Sequence, residues 1–301
     1  MAATIKQIQQ ASKGWSIEVT PAGAKKIDSF KECLPLGTTV NVTFLPGTDA
    51  ADTVAVAARL HKEGMRAVPH LAARSLKDKD QIDMLLGAYR AKAGVDEVLI
   101  IGGGVSRPVG AFDNSLQILE TGLLQKHGIR RVGVAGHPEG SPDISDYELA
   151  EALAAKNILA EREGLDMYIE TQFCFEALLV LEWEKSIRDA GNKLPIHIGI
   201  PGPATIKSLL KFAQISGIGP SMQFVSKQAR NVTKLMMVQS PHLLLSDLAQ
   251  GMADDPDCLI RHFHFYPFGG FVRTAIYADA ISSGKIELLS KGGFEVADTS
   301  A

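Results

Sequence analysis

The chain has 301 residues, of which 46% are hydrophobic and 22% charged, and its formal net charge is −3. This length suits one large α/β domain or two small ones, and the core needs no disulfide. Three scattered cysteines form no CxxC pair, which predicts free thiols in a reducing compartment. The slightly acidic balance disfavours nucleic acid as the main partner, and no apolar run is long enough for a membrane span. The N-terminal sequence lacks the apolar core of a signal peptide, so we expect a soluble cytoplasmic protein.

Short segments rich in β-branched and aromatic residues recur along the whole chain, and several are almost continuously apolar. Such runs are typical of parallel strands that are buried on both faces. The predicted strands cover residues 15–19, 38–45, 66–71, 97–104, 130–136, 167–173, 195–202 and 261–268.

Amphipathic segments separate these strands and predict helices between them. The predicted helices cover residues 49–63, 79–92, 115–127, 146–163, 176–190, 203–216, 240–253 and 271–283. Several end at a glycine, which is the residue favoured just after a helix C-terminus. Residues 221–238 are predicted to form one or two extra helices before the last strand, and the tail after Lys285 is expected to fray.

The alternation of eight strands with helices predicts the fold class. Eight βα units in one chain of this length favour a (β/α)8 TIM barrel. The alternative is an open, doubly wound parallel sheet. The even number of units and the lack of any linker favour the barrel, as a single domain over residues 1–301.

Three polar residues stand at the C-terminal ends of predicted strands, where barrels carry their chemistry. Glu18 lies within an apolar strand, where it is either a general acid with a raised pKa or a structural carboxylate held in an ion pair. Gln172 carries a neutral amide, which suits recognition of an amide-like heterocycle or else satisfies loop backbone. His70 is either a site residue or a buried core histidine.

Two further motifs have competing interpretations. The run Gly102-Gly103-Gly104 ends the fourth predicted strand and either lets backbone N–H groups approach a phosphate or a flat ring, or only makes a tight turn. No helix follows it directly, so it is a weak dinucleotide motif. His262 and His264 share one face of the last strand and could bind a metal, but no third ligand at suitable spacing supports this, and we expect no metal.

At these positions the sequence resembles the methylenetetrahydrofolate reductase family, strand by strand over most of the chain. The matching motifs are Ile17-Glu18-Val19-Thr20-Pro21, Val42-Thr43-Phe44, Pro69-His70-Leu71, Val134-Ala135-Gly136-His137-Pro138-Glu139, Thr171-Gln172-Phe173 and Phe263-His264-Phe265-Tyr266. The resemblance implies a (β/α)8 barrel that holds FAD along the strand C-termini. It also implies an oxidoreductase that uses NADH or NADPH to interconvert 5,10-methylenetetrahydrofolate and 5-methyltetrahydrofolate.

The resemblance assigns roles to individual residues. Glu18 corresponds to the proton donor to the folate. The folate contacts that it implies are Gln172, Thr43 and Tyr266, and the flavin contacts are Thr43, His70, Gly102, Gly103, Gly104, Ala135, His137 and Lys156. Members of the family often associate, so a homo-oligomer is compatible with the resemblance.

Most departures from the family lie on the flavin side. The family's fourth strand ends in Arg-Gly-Asp, where this chain has three glycines. The family has a tyrosine before Pro-Glu, where this chain has His137. Lys156 is the nearest candidate for the family's basic contact to the flavin diphosphate. FAD is therefore expected to bind weakly, through backbone contacts. The alternative is direct hydride transfer from nicotinamide to folate. A folate-binding methyltransferase or lyase and a non-catalytic folate-binding barrel are the other hypotheses.

Overall fold

The computed structural model describes residues 2–47, 49–215 and 237–297. The strands that build the main sheet are β1 Ser16–Val19, β2 Thr39–Val42, β3 Arg66–Ala72, β4 Glu97–Ile101, β5 Arg131–Gly136, β6 Asp166–Phe173, β7 Ile196–Pro201 and β8 Ile260–Tyr266. The helices are α1 Ile5–Ala11, α2 Pro21–Ala24, α3 Ala50–Lys62, α4 Lys79–Ala93, α5 Ser115–Leu119, α6 Leu123–Lys126, α7 Asp146–Glu163, α8 Ala177–Asp189, α9 Ile206–Ile215, α10 His242–Asp254 and α11 Phe271–Ser282.

The eight main strands close into a barrel in the order β1-β8-β7-β6-β5-β4-β3-β2. The registered neighbours run parallel, as in β2 and β3, where Thr39 lies opposite Arg66, and in β7 and β8, where Gly199 lies opposite His264. Strands that follow one another in the sequence are neighbours in the barrel, as crossover helices require. The prediction of a (β/α)8 TIM barrel is confirmed.

Two compact units make up the chain. The first unit contains Met1–Ile17, Gly136–Leu153 and Thr171–Ala301, and the second contains Glu18–Ala135 and Ala154–Glu170. Their boundaries fall inside strands β1, β5 and β6 and inside helix α7. A single domain over residues 1–301 stays a prediction.

The first unit is built around the fully buried aromatic side chains of β8. Phe263 and Phe265 have no solvent exposure, and the ring of Trp15 meets Phe265 edge-on at 6.1 Å between centroids. Helix α1 begins with a reciprocal cap between Thr4 and Gln7, which satisfies two backbone donors at the start of the chain. These contacts anchor the helix that precedes β1.

In the second unit, helix α3 packs on β2 and β3, and helix α4 packs beside α3. The side chains of Leu60, Ile82 and Leu86 are fully buried on the inner faces of these helices. Asp49 and Asp78 cap the two N-termini by accepting hydrogen bonds from backbone N–H groups of the first turn. The sequence therefore fixes both the start of each helix and the face that it buries.

The predicted helix over 115–127 is wrong, because the structure has two short helices there. Gly122 adopts φ +74°, a left-handed conformation that ends α5 and starts α6. Thr121 donates its hydroxyl to the carbonyl of Ile118 over 2.7 Å and so ends the first helix.

The tail beyond Lys285 is also more ordered than expected. An antiparallel hairpin pairs Ile286–Leu288 with Phe294–Val296, and the Phe294 side chain is buried against Tyr277. The expectation of fraying is therefore wrong for residues 286–296. The extra helices predicted over 221–238 lie, up to residue 236, outside the described residues. No helix of the described part of the chain is both long and apolar enough to span a membrane.

Candidate active site

Glu18 lies in the second unit near the C-terminal end of β1. Its side chain is 9% exposed, and its flanking residues Ile17 and Val19 are buried on the opposite face of the strand. The hydroxyl of Thr43, just beyond β2, donates a hydrogen bond to Glu18 Oε1. The structure thus brings together two residues that the sequence had assigned separately, to the acid and to the flavin. A buried carboxyl with a fixed oxygen is suited to proton transfer.

A second buried carboxyl lies in the same unit, and the sequence analysis did not identify it. Glu170 on β6 is 4% exposed and accepts a hydrogen bond from the side-chain amide of Asn41 over 2.6 Å. Asn41 is 1% exposed and stands two residues before Thr43. Buried carboxyl groups are costly unless they are hydrogen-bonded, so this pair is a specific feature of the barrel interior.

Ion pairs lie at the N-terminal ends of β3, β4 and β5. Glu97 pairs with Arg66 over 3.1 Å and with Arg131 over 3.6 Å. Burial outweighs the two guanidinium groups and raises the pKa of Glu97 above its ordinary value. The guanidinium of Arg131 also lies over the ring of Tyr168 at 5.0 Å. At this end of the barrel interior, the negative charge of Glu97 is therefore paired with the positive charges of the two arginines.

The three glycines after β4 differ in what they require. Gly103 adopts φ +92°, and a Cβ there would lie 3.2 Å from the Cβ of Ala72, whereas Gly102 and Gly104 have open space around them. The Arg74 N–H bonds to the carbonyl of Gly102 and fixes this turn to the segment after β3. His70, on β3, is buried at 5% exposure. The open space at two glycines would let a ligand approach the backbone.

A cavity of about 290 Å³ adjoins this turn in the second unit. Phe44, Val105 and Val109 form its apolar walls, and Asp49 and Gln81 supply polar groups. Two of its lining residues, Phe44 and Val105, directly follow Thr43 and Gly104 in the chain, which the resemblance assigns to the flavin. Its size is at the lower end of small-molecule sites.

Lys156 projects from α7 and is only 8% exposed. It makes no hydrogen bond and no ion pair with any residue that the structure describes. Burial lowers the pKa of its ammonium group to about 8. A buried lysine without an opposite charge among the described residues is costly to keep protonated, which accounts for its lowered pKa.

In the first unit, the backbone that carries Gln172 is held by its neighbours. The Tyr266 hydroxyl donates to the carbonyl of Thr171 over 3.0 Å, and the Thr171 hydroxyl donates to the carbonyl of Gln172 over 2.7 Å. The N–H of Gly199 on β7 donates to the Thr171 hydroxyl over 2.8 Å. The half-buried Gln172 side chain therefore projects from a rigid strand end.

Aromatic rings surround Tyr266, and two of them were not identified as site residues from the sequence. Phe268 stacks on Tyr266 with centroids 5.7 Å apart, and Phe212 of α9 stacks on Phe268 at 4.1 Å. Phe173 meets Tyr266 edge-on at 5.7 Å. The spacing of aromatic residues in Phe173-Cys174-Phe175 and Tyr266-Pro267-Phe268 was the available indication. Such a cluster beside an amide can bind a flat heterocycle.

The histidines of β8 have partners inside the first unit. Nδ1 of His264 lies 2.8 Å from the Ser16 hydroxyl, and the ring of His262 packs against His197 with centroids 3.6 Å apart. Within residues 2–47, 49–215 and 237–297, no group of three His, Cys, Asp or Glu side chains is placed to hold a metal ion. His137 lies in the loop after β5, where its carbonyl accepts the Gly140 N–H in a turn. Ala135, half-buried on β5, belongs to the second unit.

Comparison with known proteins identifies the family. A family model described as methylenetetrahydrofolate reductase matches residues 20–266. An uncharacterized protein from Clostridium thermocellum, which binds two copies of 5-methyl-5,6,7,8-tetrahydrofolic acid, has a similar structure with a TM-score of 0.56 at 13% identity, covering 93% of this chain and 96% of that chain. Yersinia pestis DHPS with a pterine-sulfa conjugate gives 0.48 at 12% identity, covering 94% and 98%. The structural likeness is one of fold, whereas the family model spans most of the sequence, and the chain therefore belongs to the methylenetetrahydrofolate reductase family.

Proposed function

We propose that the protein interconverts 5,10-methylenetetrahydrofolate and 5-methyltetrahydrofolate with NADH or NADPH, with FAD as the hydride carrier. The observation that carries this proposal is the buried Glu18, hydrogen-bonded to Thr43 at the C-terminal end of β1. The resemblance of Ile17-Glu18-Val19-Thr20-Pro21 to the family's first-strand motif implies the role of proton donor for this residue. Membership of the family and the folate bound by the Clostridium thermocellum neighbour are consistent with a folate substrate.

Glu18 acts as the general acid in this proposal. Protonation of the folate opens the methylene bridge to an iminium ion, and hydride addition to that ion gives the methyl group. The donor must be a neutral carboxyl at working pH, and burial favours the neutral form. Because Oε1 accepts the Thr43 hydroxyl, the acid proton is favoured on Oε2, which delivers it to the substrate.

Gln172 recognises the pterin ring in this proposal. A side-chain amide both donates and accepts, which matches the paired donor and acceptor edge of a pterin. The hydrogen bonds that fix the Thr171 and Gln172 backbone hold the amide in place. The rings of Tyr266, Phe268 and Phe212 offer flat surfaces on which the aromatic parts of a folate can pack.

The residues of the second unit fit a flavin dinucleotide. Lys156 is a buried cation that lacks a counter-ion among the described residues, and a diphosphate would supply one. The open space at Gly102 and Gly104 permits backbone approach, and the adjoining cavity has apolar walls. When bound, FAD would supply the hydride-transfer chemistry between the nicotinamide and the folate. The protein's own contribution is to bind, orient and protonate the reactants.

The test of this proposal is an assay on the purified protein with an absorbance spectrum. We expect NADH or NADPH oxidation that depends on 5,10-methylenetetrahydrofolate, and flavin bands in the visible region. A colourless protein that still oxidises NADH in a folate-dependent way would indicate direct hydride transfer from nicotinamide to folate, without a flavin. Tight binding of 5-methyltetrahydrofolate without turnover in either direction would contradict the proposal and indicate a folate-binding barrel.

Substitution of Lys156 by Met is expected to separate cofactor binding from stability. Loss of a charge-assisted contact should weaken FAD binding about tenfold or more, while riboflavin, which has no diphosphate, should bind as before. The pKa of Lys156 is about 8 in the folded protein and has the ordinary lysine value of 10.5 in the unfolded chain. The lysine therefore lowers the free energy of unfolding at every pH at which the unfolded lysine is charged. The variant should therefore unfold at higher temperature at pH 7.

The stability gain of Lys156→Met should shrink as pH rises from about 8 towards 10.5, because the folded lysine is then neutral and the free-energy cost of deprotonating the unfolded lysine falls as pH approaches 10.5. Flavin fluorescence titration and thermal unfolding at several pH values measure the two effects. Lys92→Met, at an exposed position of α4, is the matched control. Equal FAD affinity in the Lys156 and Lys92 variants would remove Lys156 from the cofactor site.

A further inference from the structure

Asn41 of strand β2 and Thr43, just beyond the strand, donate hydrogen bonds to two carboxyl groups inside the second unit. Thr43 donates to Glu18, and Asn41 donates to Glu170 over 2.6 Å. Residues two apart along a strand point to the same face and lie roughly 7 Å apart. Glu18 and Glu170 are thus attached to the same side of β2, with their carboxyl groups on the order of 10 Å apart.

Little water reaches the space around this pair. Asn41 is 1% exposed, Glu170 is 4% exposed and Glu18 is 9% exposed. At an effective dielectric constant of about 20, two unit charges roughly 10 Å apart interact by about one pKa unit. An ionised Glu170 therefore opposes ionisation of Glu18 by an amount that is large enough to matter for a proton donor.

We propose that Glu170 is a positioning residue that keeps Glu18 protonated in the pH range of the reaction. Asn41 holds the Glu170 carboxylate in place, and the negative charge of that carboxylate acts on Glu18. This inference rests on the proposed function, because it assigns a task to Glu170 only if Glu18 is the acid. It explains why a carboxylate is kept inside the barrel when an apolar side chain would cost less.

Other charged groups face the same interior, and their effects on Glu18 are separable. A Cβ at Gly133 would lie 2.6 Å from Leu99 and 2.8 Å from Tyr168, which identifies the inward positions of β4, β5 and β6. Side chains two residues apart along a strand point the same way, so the other inward positions of this unit follow from these. Besides Glu18 and Glu170, the inward titratable or charged residues are Arg66 and His70 on β3, Glu97 on β4, Arg131 on β5, and Asp166 and Tyr168 on β6.

These groups do not duplicate the role of Glu170. The two arginines pair with Glu97 at the N-terminal end of the strands, and Arg131 also pairs with Asp166. Tyr168 is neutral, because burial raises its pKa well above its ordinary value. A positive charge on His70 would oppose the effect of Glu170 on Glu18 and would not add to it.

The test is the pH profile of the Glu170→Gln variant. Glutamine has nearly the same shape and still accepts the Asn41 hydrogen bond, so the packing is retained. Removal of the charge should lower the pKa of Glu18, and the decline of kcat/KM at alkaline pH should begin about one pH unit earlier. Above both midpoints the variant should be about tenfold slower than the wild type, and well below them it should be equal. Glu161→Gln, at an exposed position of α7, is the matched control.

A second measurement does not depend on turnover. The carboxyl ¹³C resonance of Glu18, assigned by its loss in Glu18→Gln, is titrated in the wild type and in Glu170→Gln. A lower Glu18 pKa in the variant supports the inference, even if no folate-dependent turnover is found and the proposed function fails. An unchanged Glu18 pKa, or a uniform loss of activity with an unmoved midpoint, would overturn it.

Discussion

Substitution of Glu18 by Gln is expected to remove folate-dependent NADH or NADPH oxidation while the protein stays folded. Glutamine has the same shape and still accepts the Thr43 hydroxyl, but it cannot donate an acid proton to the substrate. Loss of a general acid costs about 10²- to 10⁴-fold in rate. The decrease is measured spectrophotometrically with 5,10-methylenetetrahydrofolate.

The affinity for folate shows whether Glu18→Gln has lost only its proton donor or has also lost its binding site. The dissociation constant of 5-methyltetrahydrofolate should change by less than about threefold in Glu18→Gln, because the variant removes a proton and not a binding surface. Glu182→Gln, at an exposed position of α8, should behave as the wild type. Turnover at the wild-type rate in Glu18→Gln would eliminate Glu18 as the proton donor.

The Gly199→Ala substitution is expected to lower the stability of the protein strongly. The added Cβ would lie 2.6 Å from the carbonyl oxygen of Gln172 and 2.7 Å from that of Thr171. These are backbone atoms, so the clash is relieved only by moving β6 or β7. Overpacking of this kind costs about 3 kcal/mol, which lowers the melting temperature of a chain of this size by roughly 6–12 °C. Since the displaced backbone carries Gln172, binding of 5-methyltetrahydrofolate should also weaken.

Thermal unfolding and folate titration of Gly199→Ala measure both consequences. Gly102→Ala is the stability control, because a Cβ there meets nothing within 4 Å and its backbone conformation is open to other residues. A melting temperature of Gly199→Ala within about 1 °C of the wild type would show that β6 and β7 have more room than their geometry indicates.

The strand pattern of the fold was predictable because several barrel strands are short and almost continuously apolar runs. Such segments as Glu97–Ile101 and Ile196–Pro201 are buried on both faces, and this leaves a local pattern in the sequence. The break at Gly122 was missed because apolar residues continue at helical spacing across it. The terminal hairpin was missed because its strands are only three residues long.

The candidate site was predictable where a motif is local and unpredictable where two distant residues meet. Glu18 and Gln172 stand out in their own strands. The bond between Asn41 and Glu170 joins residues 129 positions apart, and no local pattern announces it. The stacking of Phe212 on Phe268 has the same origin, since one residue lies on a helix and the other in the loop after β8.

The charged cluster of Glu97, Arg66 and Arg131 has a consequence for behaviour on heating. At room temperature, the free-energy cost of removing Glu97 from water exceeds the attraction to Arg66 and Arg131, as the raised pKa of Glu97 indicates. The hydration free energy of ions becomes less favourable as temperature rises, so the penalty for burying these groups declines. The ion pairs at the N-terminal ends of the strands therefore become less unfavourable at the temperatures at which unfolding begins.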